Sequence, residues 1–117
     1  MAGYSQGILL QANFTLTITQ STGTLGGSYS VAGTLFDGIS TAQLQGTGTI
    51  YGTIASGNNP SVNFTVKSGV CPNVQDAFSG TNNTTNRIIT VTGRVDIFNS
   101  NCVVVLTYSP TTIILRH

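Results

Sequence analysis

The sequence predicts a single all-β domain of seven or eight antiparallel strands. Apolar and polar residues alternate over most of the chain, and clusters of Gly, Asn and Ser separate the alternating runs. The runs are joined mostly by short connections, which favours a small up-and-down β-barrel. A two-sheet sandwich or jelly roll is the alternative architecture.

Alternation starts at Ile8 and continues to Ile18, with apolar residues at the even positions. The odd positions are mostly polar, so this segment predicts a long strand with one buried face. Residues 1–7 contain two glycines and precede the alternating run, which predicts a flexible N-terminal arm. The chain is therefore expected to consist of an arm at 1–7 and one all-β domain at 8–117.

The second predicted strand covers 24–36 and ends at the dipeptide Asp37-Gly38. An Asp-Gly pair between two alternating runs predicts a two-residue type I′ turn. Such a turn sets the register of the hairpin, so Tyr29 is expected to face Gly46.

A third strand is predicted over 39–55 and a fourth over 61–67, separated by a loop rich in Asn and Gly. Several glycines fall on the inner faces of these strands, where they leave room for aromatic rings on neighbouring strands. Three such aromatic–glycine pairs are expected: Tyr29 with Gly46, Phe64 with Gly52, and Tyr108 with Gly93.

Residues 68–86 interrupt the alternation and predict an irregular covering segment that contains one helical turn after Pro72. Alternation resumes over 87–98 and again over 102–109. The dipeptide that follows contains a proline, so a separate short strand is predicted over 112–116.

Charged residues make up 6% of the 117 residues, where about 25% is usual for a soluble domain. Four Lys and Arg residues cannot neutralise many phosphates, so no nucleic-acid partner is expected. No apolar run approaches the ~20 residues of a membrane helix, so no membrane span is expected. A hydrophobic content of 39% with a net charge of +1 argues against disorder.

The chain contains two cysteines, Cys71 and Cys102. They can form one disulfide in an oxidising compartment, or they can remain two buried thiols. The start of the chain lacks the pattern of a signal peptide. Because the composition is nearly free of charge and rich in Thr, Asn and Gly, we expect an extracellular protein or one on the surface of a particle such as a virion or spore.

Titratable residues are too few and too scattered for general acid–base or nucleophilic catalysis. One His and two Cys give no metal-site pattern. We therefore expect no enzyme, and no catalytic, cofactor-binding or metal-binding residues. Arg94 and Asp96 are expected to pair on an outer face, Asp76 is expected in a capped turn, and the core face is expected to carry no charge.

A chain with a net charge near zero and few charges of either sign lacks the repulsion that keeps monomers apart. Residues 102–106 and 113–115 are apolar on both faces, which indicates packing on their outer side. We expect a non-enzymatic structural subunit of an extracellular or particle-surface assembly, such as a filament, a coat or a virion-like shell, with further copies of itself as partners. Six residues are expected to mediate self-association: Tyr4, Val103, Val105, Ile113, Ile114 and Leu115.

The alternative function is a secreted carbohydrate- or small-ligand-binding β-barrel module. Threonines dominate the outer faces of the predicted strands, and their hydroxyls could bind a glycan, although Thr is also an ordinary residue of solvent-facing strands. A pocket for a small ligand needs polar groups that point inward. The predicted inner face has almost none, so the interior is expected to be a filled core.

Overall fold

We describe the fold from a computed structural model covering residues 1–21, 23–57 and 59–116, without the side chains of Gln20 and Ser21. Eight antiparallel strands form one sheet in which each strand pairs with the next in sequence. They are β1 (Ala2–Ser5), β2 (Ile8–Ser21), β3 (Thr24–Phe36), β4 (Thr41–Ile54), β5 (Ser61–Ser68), β6 (Gln75–Asn83), β7 (Ile88–Phe98) and β8 (Val104–Arg116). Because β1 lies beside β8, the sheet is a nearly closed barrel, which confirms the predicted fold class.

The first strand, β1, occupies most of the segment expected to be a flexible arm. It pairs with the start of β2, and the N–H of Ala12 donates a hydrogen bond of 2.9 Å to the carbonyl of Met1. Gln6 and Gly7 join the two strands with φ angles of 51° and 76°. Positive φ at both central residues is the geometry of a tight hairpin turn, so the segment is part of the barrel rather than an arm.

The hairpin of β3 and β4 has a register that differs from the prediction by two residues. Tyr29 faces Gly48 instead of Gly46. A shift of two residues keeps every side chain on its predicted face, because strand side chains alternate with a period of two. The predicted inner and outer faces of both strands are therefore correct although the partners are wrong.

The Asp37 side chain explains the shift. Its carboxylate accepts hydrogen bonds from the backbone N–H groups of Ile39, at 2.8 Å, and Ser40, at 2.7 Å. The backbone N–H of Asp37 donates to the carbonyl of Ser40. The turn residues are thus Gly38 and Ile39, so that only Gly38 has a positive φ, of 99°.

Aromatic rings do cover inner-face glycines, as predicted. Of the three predicted aromatic–glycine pairs, one is present and two have a different partner. Phe64 faces Gly52 as predicted. Gly93 faces Phe78 instead of Tyr108, and a Cβ atom at Gly93 would lie 2.8 Å from the Phe78 ring. A larger residue at this glycine would therefore clash with the Ala77 backbone carbonyl and with an aromatic side chain of the core.

Residues 75–83 form β6, a strand where an irregular segment with a helical turn was predicted. It pairs with β5 on one side and with β7 on the other. Asp76 and Phe78 are both buried, at 6% and 3% exposure. Because the Asp76 carboxyl points inward, the apolar–polar alternation of this strand was not visible in the sequence. The expectation of an uncharged core face is therefore wrong.

The last strand, β8, is continuous from Val104 to Arg116, where two shorter strands were predicted. Its pairing with β7 shifts between Gly93 and Val95, so Ser109 and Pro110 form a bulge. Proline lacks a backbone donor and is tolerated in a sheet at such a bulge.

Two clusters of buried residues make up the core. The larger one contains Phe64, Phe78 and Val91 and occupies the end of the barrel where the last residues of β8 lie. The smaller one contains Leu10 and Tyr108 and lies towards the other end. Side chains from both clusters border an interior cavity.

Candidate functional site

The interior cavity has a volume of about 130 Å³. Its wall is mostly apolar, and the described polar residues that line it are Tyr29, Gln45, Ser68, Asp76 and Asp96. The cavity reaches the surface beside Gln45, which is exposed. The expectation of a filled interior is therefore wrong.

Asp76 lies where β6 and β7 separate. Hydrogen-bonded pairing of these strands ends at Phe78 and Gly93. Beyond this point the Oδ2 atom of Asp76 accepts the backbone N–H of Asp96 at 2.9 Å. A side-chain carboxylate thus takes the place of the backbone carbonyl that would continue the ladder, and the buried donor is satisfied.

The other carboxylate oxygen of Asp76, Oδ1, is buried and has no hydrogen-bond partner among the described residues. The Nε atom of Arg94 lies 3.5 Å from this oxygen and 3.1 Å from Oδ2 of Asp96. The predicted Arg94–Asp96 pair is therefore present, and it extends to the buried Asp76. Because the Arg94 side chain is 58% exposed, water screens much of its attraction.

Burial raises the pKa of Asp76 to about 7, and the neighbouring Asp96 carboxylate adds to this shift. Desolvation acts to raise the pKa of Asp96 as well, but hydrogen bonds with Asp76 and Thr107 lower it below its usual range. Asp96 therefore carries the negative charge of the pair at mildly acidic pH, while Asp76 holds a proton. Burial also raises the pKa of Tyr29, and the charge of Asp76 contributes.

A disulfide joins Cys71 and Cys102, which confirms the predicted pairing. It links the loop before β6 to the loop before β8, at the end of the barrel where β6 and β7 separate. The Cys71 N–H donates to the Ser68 hydroxyl at 3.1 Å, and the Asn73 amide donates to the Cys102 carbonyl at 3.2 Å. Covalent and polar links therefore hold this end of the barrel together.

A second gap, which we call the seam, lies between β2 and β8. The pairing of β1 with β2 stops at Met1 and Ala12. Residues 13–21 of β2 and 111–116 of β8 define the two sides of the seam, and no described strand pairs with these edges. Phe14, Leu16 and Ile18 from one side and Ile114 and Leu115 from the other line a groove there.

The structure divides the six predicted association residues into two groups. Tyr4 on β1 and three residues at or on β8, Val103, Val105 and Ile114, are about half exposed or more. In contrast, Ile113 is 2% exposed in the core and Leu115 packs against the same cluster. These two side chains point inward and are removed from the outer surface.

Exposed apolar side chains are concentrated on β1, β2 and β8 and in the loop that leads into β8. Of the ten exposed large apolar residues among those described, six lie there. These six are Tyr4, Ile18, Val103, Val104, Val105 and Ile114. On β1, β2 and β8 the sequence contains a single charged residue, Arg116.

No protein-family model matches the chain, no curated protein matches its sequence, and no solved structure matches its fold. Within the described ranges there is no group of three His, Cys, Asp or Glu side chains that could hold a metal ion. None of the described residues belongs to a helix long and apolar enough to cross a membrane.

Sequence reasoning missed Asp76, Ser68 and Tyr29 as members of one site. A signal for Asp76 was present, because Val74, Asp76 and Phe78 continue an alternation if a carboxyl is allowed on the inner face. The cavity itself depends on how far β4 and β7 lie apart, which no local pattern encodes.

Proposed function

We propose that the protein is a non-enzymatic structural subunit that associates with further copies of itself through the outer face of β1 and β8. The observation that carries this proposal is the number of exposed apolar side chains on β1, on β8 and in the loop that leads into β8. Single exposed apolar residues are ordinary, but a contiguous group of them marks an interaction surface.

The outer positions of β1 and β8 are neighbours. A Cβ atom at Gly3 of β1 would lie 3.3 Å from the ring of Tyr108 on β8, so the two strands are in contact. Tyr4 follows Gly3 and points outward, as does Val105 on β8. Exposed apolar side chains therefore lie on both of two adjacent strands.

A second copy is the partner that fits this surface best. Edge strands are usually protected by Lys, Pro or inward charges, whereas β1 and β2 contain none of these and β8 contains only Pro110 at its bulge. With a single cation, Arg116, on the three strands, two copies would meet without like-charge repulsion of any size. A strongly charged partner would find no complementary surface here.

We place the assembly outside the cytoplasm or on a particle surface. The Cys71–Cys102 disulfide supports this location, because such bridges persist mainly in oxidising compartments.

The test is the double substitution Val103→Lys and Val105→Lys. Both side chains are about half exposed, so the variant should fold while charge on the surface blocks association. Sedimentation velocity and electron microscopy should show large species for the unmodified protein and monomers for the variant, with the same circular dichroism spectrum. The matched control is Thr47→Lys with Thr49→Lys, on the exposed outer face of β4, which should leave assembly unchanged.

An unmodified protein that stays monomeric from micromolar to millimolar concentration contradicts the proposal. Equal assembly of the valine variant and its control would show that association occurs, but through another surface.

A glycan-binding module is the second candidate, favoured by one observation. The register aligns hydroxyl side chains in two rows across β2, β3 and β4. The rows are Thr15–Ser30–Thr47 and Thr17–Ser28–Thr49. A saturable signal on a glycan array from a monomer, lost on Ser28→Val with Ser30→Val, would support this function, and a blank array would reject it.

A further inference from the structure

We propose that the interior cavity binds a small primary ammonium ion with an apolar body, held by the Asp76 carboxylate. This site is separate from the outer face of β1 and β8, and the inference goes beyond self-association without depending on it.

The Oδ1 atom of Asp76 accepts no hydrogen bond, and its one charged neighbour among the described residues is the exposed Arg94 guanidinium at 3.5 Å. Asp76 is 6% exposed and lines the cavity. A buried carboxylate oxygen without a donor is costly. A ligand that brings an N–H group into the cavity supplies the missing donor.

The cavity wall contains hydrogen-bond acceptors besides the Asp76 carboxylate, namely the hydroxyl groups of Ser68 and Tyr29. Burial raises the pKa of Tyr29 and the charge of Asp76 adds to this, while hydrogen bonding to Ser68 acts against both. An ammonium group has three donors and no acceptor, which suits one carboxylate and two hydroxyl oxygens, of which that of Ser68 already accepts the Cys71 N–H at 3.1 Å.

The lining of the cavity suits a ligand with an apolar body. The rings of Phe14 and Tyr29 stack at 5.2 Å, and both line the cavity together with Phe78 and Val66. Aromatic faces attract cations, and the apolar wall favours hydrocarbon. An apolar cavity of about 150 Å³ holds benzene, so a cavity of about 130 Å³ has room for a ligand of about five or six non-hydrogen atoms.

The charged groups near Asp76 leave its carboxylate able to bind a cation. Arg94 competes for Oδ1 at 3.5 Å but is more than half exposed. The ammonium group of Met1, which also borders the cavity, donates to the carbonyl of Ala12 at 3.1 Å. Asp96 contributes a second negative charge from β7, and its lowered pKa keeps it ionised.

The experiment compares isobutylammonium with isobutanol, a neutral molecule of nearly the same shape. Each is titrated into the ¹⁵N-labelled full chain at pH 8, where Asp76 is mostly ionised. Isobutylammonium should shift the amide signals of Asp76 and Asp96 saturably and bind at least about tenfold more tightly than isobutanol. Asp76→Asn should lose that preference, whereas Asp37→Asn, an exposed turn carboxyl, should retain it.

A second measurement needs no variant. Because the pKa of Asp76 is raised to about 7, the affinity for isobutylammonium should fall about tenfold or more between pH 8 and pH 5 as the carboxylate is protonated. Equal binding of the amine and the alcohol, equal affinity at both pH values, or no saturable shift because the cavity holds only water, would each overturn the proposal.

Discussion

The barrel has two places where neighbouring strands separate, and the chain closes only one of them. Between β6 and β7, the Asp76 carboxylate accepts the N–H of Asp96 and a disulfide joins the adjacent loops. At the seam between β2 and β8, β1 covers one part, and residues 13–21 and 111–116 face each other without a strand between them.

The two gaps differ in what borders them: side chains of this chain bridge the first, and the second keeps apolar borders without a strand between them. The first gap is closed by a titratable group and a redox-sensitive bond, so its stability should depend on pH and on reductant. The second gap has apolar borders and unpaired strand edges, so its state should depend on protein concentration. Three measurements test this difference between the two gaps.

The largest effect is expected from removing the disulfide by Cys71→Ser together with Cys102→Ser. The bridge spans 31 residues of sequence, and constraining a loop of that length in the unfolded chain corresponds to roughly 3–4 kcal/mol. Urea unfolding should show a loss of this size in the free energy of unfolding. A loss below about 1 kcal/mol would mean that Asp76 and its hydrogen bond close the gap without help.

The second effect is a pH dependence of stability set by Asp76. Its pKa is about 7 in the folded chain and about 3.9 in an unfolded one. Between these values the folded state holds a proton that the unfolded state has released. The free energy of unfolding should therefore fall by about 3 kcal/mol as the pH rises from 4 to 7, and should level off above about pH 8.

Asp76→Asn is the control for this pH dependence. The asparagine oxygen can still accept the Asp96 N–H, so the variant should fold and lose the fall in stability between pH 4 and 7. Asp37 and Asp96 have lowered pKa values, so they act in the opposite direction and below this window. If the variant and the unmodified protein showed the same pH profile in urea unfolding, the carboxyl of Asp76 would not be the responsible group.

The seam should contribute least to global stability, and amide hydrogen exchange of β2 residues measures whether it is open. The N–H of Ala12 points towards β1. Because the N–H groups of successive residues in a strand point to alternate sides, the N–H groups of Phe14 and Leu16 point the same way. In the monomeric Val103→Lys, Val105→Lys variant, the amides of Phe14 and Leu16 should exchange rapidly, while that of Thr15, which points to β3, should be protected. Protection of Phe14 and Leu16 in this monomer would show that the seam is closed.

The sequence predicted the barrel well where one face is uniformly apolar. The strand over 24–36 has the predicted bounds, and Phe64 faces Gly52 as expected. The period of two that specifies a half-buried strand is local, so it can be read without knowledge of the fold.

The prediction was wrong at two aspartates whose side chains accept hydrogen bonds from backbone N–H groups. The Asp37 carboxylate moved a turn by one residue and the register by two, because an Asp-Gly pair supports more than one turn geometry. Asp76 hid β6 because a charge on an inner face breaks the binary pattern. The candidate cavity and the seam depend on distances between strands far apart in sequence, which alternation does not specify.

The hydrogen bond that the Tyr108 hydroxyl donates to the carbonyl of Ile8, at 3.0 Å, joins residues 100 positions apart. Every strand pairing, by contrast, links neighbours in sequence. Local pairings cost little loop entropy and form early, whereas a contact between the two ends of a chain waits until the intervening segments are ordered. We therefore expect hairpins to assemble first and the ring to close last, with Tyr108 reporting the final step of folding.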